Sequence, residues 1–297
     1  MRDGVELSFV RAGTGGWPLL LLHGWPETKR IWWRNIEALA GSGFDVIAPD
    51  LRGFGDSSLA PDGFYDLSAH ARDVHALVRE TLGLERCAAV GGDLGGAVVQ
   101  ELGLRFEGFV VRQCLFNTVL PLLPDLYERA GIPPGIPREV RAAADYFRRQ
   151  AMEADELAAE LDSEAKRRRY IAQFYGSRLW ASPGSFTAEE VDFMTEPFAD
   201  PEKLRAGFGN YESALGSRPL SERPRFFETH PIPTLLLYGP GDHVIPPDFP
   251  QRCEVAFTER VGPMIVPRAG HFLQWERADV LNQSLIYFLR DLAQAGD

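Results

Sequence analysis

Val90-Gly-Gly-Asp-Leu-Gly-Gly96 follows the short apolar run Cys87–Val90 and leads into a helical pattern at Ala97–Phe106. A strand that enters a Gly-x-Asp-x-Gly turn and leaves as a helix exposes its central side chain on a tight bend. The flanking glycines tolerate a strained backbone and let helix and strand approach closely. The first helical turn also directs N–H groups toward the carboxylate of Asp93. A plainer reading of the same residues is a glycine-rich turn in which Asp93 only caps the helix. The surroundings decide between the two.

Further short apolar runs lie at Trp17–Leu22, Asp45–Ala48, Val110–Phe116, Thr234–Tyr238 and Pro263–Val266. Their near-continuous apolarity suits parallel strands covered on both faces. Helical patterns at Ile31–Ala40, Leu67–Leu82 and Val280–Ala293 alternate with them. This alternation predicts an α/β fold with a doubly wound, mostly parallel sheet. It stops after about Thr118 and resumes at Ile232. In between, Pro121, Pro124, Pro133, Pro134 and Pro137 punctuate a loop, and Arg138–Trp180 reads as helix. We therefore expect a core domain from 1–118 and 229–297, with 119–228 as a helical cap (lid). Such an insertion would cover the carboxyl edge of the sheet, where open α/β sheets bind ligands.

Composition narrows the function classes. The chain has 297 residues, 45% hydrophobic and 25% charged, which excludes a disordered polymer. Its net charge of −11 opposes a nucleic-acid surface. Arg167, Arg168 and Arg169 form a tight basic run, read as a solvated helix face. Cys87, Cys114 and Cys253 are isolated, as in a reduced cytosolic chain. No signal-peptide pattern opens the sequence and no apolar run is long enough to span a bilayer, so a cytoplasmic protein without membrane insertion is expected. His70 and His75 diverge on a helix and do not form a zinc motif, and Gly13–Gly16 is too fragmentary for a phosphate loop.

Three more segments follow predicted strands. In Leu22-His-Gly-Trp-Pro-Glu27, Trp25 is placed to supply a backbone N–H to an oxyanion hole, with Leu94 as the second donor. His23 is not assigned as a base. Tyr238-Gly-Pro-Gly-Asp-His-Val-Ile-Pro246 offers Asp242 as an orienting acid, and nothing recruits His243. Arg268-Ala-Gly-His-Phe-Leu-Gln-Trp-Glu276 offers His271 as a base. Each segment alone also reads as an ordinary loop. Together they give nucleophile, acid and base in the order Asp93, Asp242, His271, each after a strand, and no Gly-x-Ser-x-Gly competes.

At these residues the sequence resembles the α/β-hydrolase superfamily and, within it, the epoxide hydrolases. The resemblance spans nearly the whole chain. His23-Gly-Trp-Pro26 with Trp33-Arg34, Asp50-Leu-Arg-Gly-Phe-Gly-Asp-Ser57, Phe116-Asn-Thr118 and Gly270-His-Phe272 carry it beside the Asp93 turn. It implies an α/β-hydrolase fold, a cis Pro26 and two cap tyrosines that bind the epoxide oxygen. Tyr211, 31 residues before Asp242, matches the second tyrosine. Tyr146, 53 residues after Asp93, best matches the first, with Tyr127, Tyr170 and Tyr175 as competitors. The implied substrates are a hydrophobic epoxide and water, and the implied chemistry needs no cofactor and no metal. A homo-oligomer is compatible with the sequence, which sets no oligomeric state.

Two positions depart from the family pattern. His often precedes the nucleophile and Trp often follows it; here these are Gly92 and Leu94. A haloalkane dehalogenase would use the same Asp and His, but it commonly needs the Trp that Leu94 replaces. Fluoroacetate-type enzymes commonly carry Arg there. A ligand-binding relative without turnover is a third reading, opposed by the complete Asp93, Asp242 and His271 set.

Overall fold

A computed structural model describes residues 4–133, 145–176 and 180–294. Its strands are β1 (Phe9–Ala12), β2 (Trp17–Leu22), β3 (Phe44–Pro49), β4 (Cys87–Gly92), β5 (Val110–Phe116), β6 (Thr234–Tyr238) and β7 (Arg260–Ile265). They form one sheet in the order β1-β3-β2-β4-β5-β6-β7. Only β1 runs antiparallel to its neighbour. The sequence-based α/β expectation therefore holds. Every residue of β3, β4 and β6 is buried, as parallel strands covered on both faces require.

The two edges differ from expectation. No apolar run marks β1; it is half-exposed, and Arg11 pairs with Asp45 of β3 at 2.6 Å. The last strand starts earlier than the apolar run Pro263–Val266 suggests, and nearly all of it is exposed. An edge strand has one neighbour, and β7 also breaks register against β6 between Leu235 and Leu237.

The predicted Ile31–Ala40 helix divides into a 3₁₀ turn, Lys29–Trp32, and α1 (Ile36–Ala40). Thr28 caps the first of these through the Arg30 N–H. Next, α2 (Leu67–Ala76) ends in a π-helical turn over Leu77–Thr81. Then α3 (Asp93–Arg105) starts at the turn itself, four residues before the helical pattern at Ala97.

Between β5 and β6 the described elements are all helical. They are α4 (Pro124–Arg129), α5 (Asp145–Met152), α6 (Ala154–Glu160), α7 (Glu164–Ala172), α8 (Ala188–Thr195) and α9 (Pro201–Leu215), with 3₁₀ turns at Gln173–Tyr175 and Glu196–Ala199. The continuous helix expected at Arg138–Trp180 is thus several short ones in its described part; 138–144 and 177–179 lie outside the described residues. Glu153 leaves helical geometry between α5 and α6, and Ser163 caps α7. The basic run is also corrected. Arg167 is buried and donates to the carbonyls of Ala199 (2.7 Å) and Leu161 (3.0 Å), so it fastens loops instead of facing solvent. After β6 come α10 (Phe249–Ala256), α11 (Leu273–Glu276), α12 (Ala278–Phe288) and α13 (Arg290–Gln294). The expected Val280–Ala293 helix is thus two. No helix among the described residues is long and apolar enough to cross a membrane.

Candidate active site

Asp93 sits where β4 turns into α3, with φ of 46°, a left-handed conformation that non-glycine residues seldom adopt. Close packing holds the bend. A Cβ on Gly95 would lie 2.2 Å from the Leu22 carbonyl oxygen, so only glycine lets α3 start against β2. A Cβ on Gly92 would lie 2.3 Å from the Phe116 ring. Phe116 thus fills the space beside the turn that any side chain at position 92 would need.

The loop after β2 passes over the turn, and Trp25 N–H donates to Asp93 Oδ1 at 2.7 Å. Leu94 is the second residue of α3. Helix geometry leaves its N–H without an intrahelical acceptor. The Trp25–Pro26 peptide bond is cis.

His271 approaches from the loop after β7. Its Nε2 lies 3.3 Å from Asp93 Oδ2 without the alignment of a hydrogen bond. Its Nδ1–H donates to Asp242 Oδ2 at 2.7 Å. Asp242 Oδ2 also accepts from Asn117 Nδ2 (2.8 Å), while Oδ1 accepts the N–H groups of Val244 (2.7 Å) and Ile245 (3.1 Å). Burial alone would lower the His271 pKa. The paired Asp242 and the neighbouring Asp93 outweigh it and raise that pKa well above its ordinary value.

Sequence reading missed the role of Asn117. Its carbonyl accepts the Asp93 N–H (3.0 Å), and its side chain bonds both Gly239 N–H (2.8 Å) and Asp242. One residue at the end of β5 thus ties the ends of β4 and β6. Thr118 adds a 2.5 Å bond from its hydroxyl to the Asp93 carbonyl. The available signal is position: Asn117 follows directly on the predicted strand Val110–Phe116.

A second missed group is Glu27. It is buried, accepting from Gly24 N–H at 2.6 Å and from Gln274 Nε2 at 2.9 Å. Burial, with a smaller contribution from the Asp93 charge, raises its pKa to about 7.

The inserted helices bring Tyr146 of α5 and Tyr211 of α9 above the turn, with ring centroids 5.8 Å apart. Both rings pack on Trp25, stacked for Tyr146 (5.8 Å) and edge-on for Tyr211 (5.2 Å). Phe174 and Trp180 complete the aromatic cluster. The two phenols lie close enough to influence each other's titration. Burial first, then nearby charge including that of Asp93, pushes both pKa values well above 10, so both phenols keep their protons at neutral pH.

The competing groups are engaged elsewhere. Tyr127 donates to Pro121 O (2.8 Å), Tyr170 accepts from Gln150 (2.9 Å), and Tyr175 donates to Pro26 O (2.6 Å). His23 Nε2 accepts from Leu51 N–H (2.9 Å), which directs Nδ1–H to the Gly24 carbonyl (2.8 Å). His243 is exposed. Among the described residues, no group of three or more His, Cys, Asp or Glu side chains could hold a metal ion.

The family model for the alpha/beta hydrolase fold matches residues 18–278. The chain belongs to the α/β-hydrolase superfamily. Within it the chain falls in the epoxide hydrolase family. It is 31% identical to the soluble epoxide hydrolase of Corynebacterium sp. (strain C12), over 97% of this chain and 95% of that one. It is 29% identical to epoxide hydrolase A of Mycobacterium tuberculosis (strain H37Rv), over 98% and 96% of the two chains. Among solved structures, the ligand-free epoxide hydrolase CorEH superposes with a TM-score of 0.82 at 25% identity, covering 98% of this chain and 96% of that one.

Proposed function

We propose that this α/β hydrolase converts a hydrophobic epoxide and water to a vicinal diol through an ester on Asp93, with residues 119–228 acting as a cap. One observation carries the reading: His271 stands between Asp93 (3.3 Å) and Asp242 (2.7 Å), beneath two neutral tyrosines.

Asp93 Oδ1 is held by Trp25 N–H, so Oδ2 is the attacking oxygen. Oδ2 forms a bond to an epoxide carbon as that carbon's ring C–O bond breaks. The leaving alkoxide takes a proton from Tyr146 or Tyr211; a phenol gains acid strength as alkoxide charge develops beside it.

Ester formation removes the negative charge that helps hold the proton on His271. The imidazole pKa therefore falls, and its Nε2 proton passes to the tyrosinate left by ring opening, which frees the base. His271 then takes a proton from water, and the hydroxide oxygen adds to Cγ of Asp93. The oxyanion forms on Oδ1, opposite the N–H groups of Trp25 and Leu94, each worth about 3 kcal/mol in related chemistry. Collapse breaks the Cγ–O ester bond. The diol takes the proton that His271 drew from water, the carboxylic acid left on Asp93 returns its proton to His271, and the Asp93 carboxylate is restored with one oxygen from water. Asp242 fixes the tautomer of His271 throughout.

His271→Gln tests the scheme. With an aryl epoxide the variant should accumulate protein heavier by the mass of the epoxide, and Asp93→Ala should abolish the adduct. Normal diol turnover by His271→Gln would refute the two-step route. One observation favours a second reading. The buried indole N–H groups of Trp25 and Trp180 have no acceptor among the described residues, and such donors suit a departing halide. Leu94 opposes it. Free halide from haloalkanes, without diol from epoxides, would select the dehalogenase.

A further inference from the structure

Glu276 touches none of the reacting groups, yet the base loop and the inserted segment meet on its carboxylate. Oε2 accepts from Gly270 N–H (2.8 Å), Ser182 N–H (2.9 Å) and Ser185 Oγ–H (3.0 Å). Oε1 accepts from Phe272 N–H (2.9 Å). These four donors are neutral, and three are backbone groups. The N–H of His271, between Gly270 and Phe272, donates to the Trp180 carbonyl at 2.9 Å. Three consecutive N–H groups of the base loop are thus fixed, the outer two by Glu276 and the middle one by the inserted segment. The same carboxylate holds that segment two residues after Trp180. The Trp180 ring in turn lies 4.3 Å from the His271 ring.

We infer that Glu276 is a positioning residue that couples the seating of the 180–185 segment to the aim of His271. The inference rests on the function proposed above. Ring opening uses Asp93 and the two tyrosines, whereas ester hydrolysis needs His271 Nε2 aimed at a water beside Cγ. Loosening the base loop therefore slows the second step more than the first. A glutamine at 276 keeps the volume but presents an NH₂ group to N–H donors, so part of the cluster must open.

The test compares wild type, Glu276→Gln, Ser185→Ala and His271→Gln with one aryl epoxide, by rapid quench and intact mass. Glu276→Gln should form the ester at close to the wild-type rate and hydrolyse it about tenfold more slowly, in line with the sensitivity of catalysis to small misplacements. The adduct then becomes visible at steady state. Ser185→Ala removes one side-chain donor and should raise the steady-state ester fraction in the same direction by a smaller factor, so it carries the test if Glu276→Gln does not fold. An equal slowing of both steps, or an unchanged ester fraction in both variants, would overturn the inference.

If even His271→Gln forms no adduct, the proposed function has failed. The Glu276 inference then stands or falls on a second readout, the downfield NMR signal of the His271 Nδ1 proton on Asp242. That signal should shift or broaden in Glu276→Gln, or failing that in Ser185→Ala. An unchanged signal would overturn the inference.

Discussion

The two halves of the site are held by different forces. On the sheet side, Asp93, Asp242 and His271 are locked by directed hydrogen bonds; the Asp242 carboxylate alone accepts four. On the helical side, Tyr146 and Tyr211 are held mainly by ring packing on Trp25, Phe147, Phe174 and Trp180. Hydrogen bonds fix angle and protonation state, whereas ring contacts fix volume and tolerate sliding. The sheet side thus fixes one geometry, and under the proposed function the helical side can reshape its pocket while keeping its two phenols.

Removing both phenols should separate the halves most sharply. Tyr146→Phe with Tyr211→Phe keeps the ring packing and takes away the acid. Ester formation should fall by roughly 10²-fold or more, the usual worth of a general acid, with hydrolysis of preformed ester little changed. Single-turnover rates check this, and each single variant should lose less than the pair. An equal loss in both steps would mean that the helical side also aligns His271 through these hydroxyls.

A smaller effect should expose the polar character of the sheet side. Glu27 has a pKa of about 7 in the fold against an ordinary 4.5. Between these values the folded state binds the extra proton, so stability should fall as pH rises from about 4.5 to 7 and then level off. The buried group accounts for on the order of 3 kcal/mol of that fall. His271 acts in the adjoining range: its raised pKa gives stability that is complete below about 6.5 and lost as pH rises further. Glu27→Gln should flatten the lower range and leave the upper one, as measured by denaturant unfolding at several pH values. An unchanged slope below pH 7 would assign it to other groups.

The same contrast explains what the sequence made legible. Asp93, Asp242 and His271 each follow a strand, so their convergence could be read from alternating apolar runs and chain order. Asn117 could not be read in this way, because its bond to Asp242 spans 125 positions and exists only once β5 and β6 are adjacent. Glu27 and Glu276 lie inside the loop motifs at 22–27 and 268–276, but their partners are groups that meet only in the fold. The edges β1 and β7 were missed or misplaced because half-exposed strands lack a continuous apolar signature. In the described part of the inserted segment, the Ala-, Glu-, Arg- and Leu-rich composition indicates helix, as found, but not where the helices break. The burial of Arg167 depends on carbonyls at 161 and 199, which composition does not reveal.

In the proposed mechanism Asp93, not water, makes the first bond to the substrate. A single turnover in ¹⁸O-labelled water, with enzyme in excess over epoxide, tests it directly. The expected products are unlabelled diol and one ¹⁸O atom in the peptide that contains Asp93. Labelled diol from the first turnover, with Asp93 unlabelled, would mean that water opens the ring and would contradict the ester mechanism.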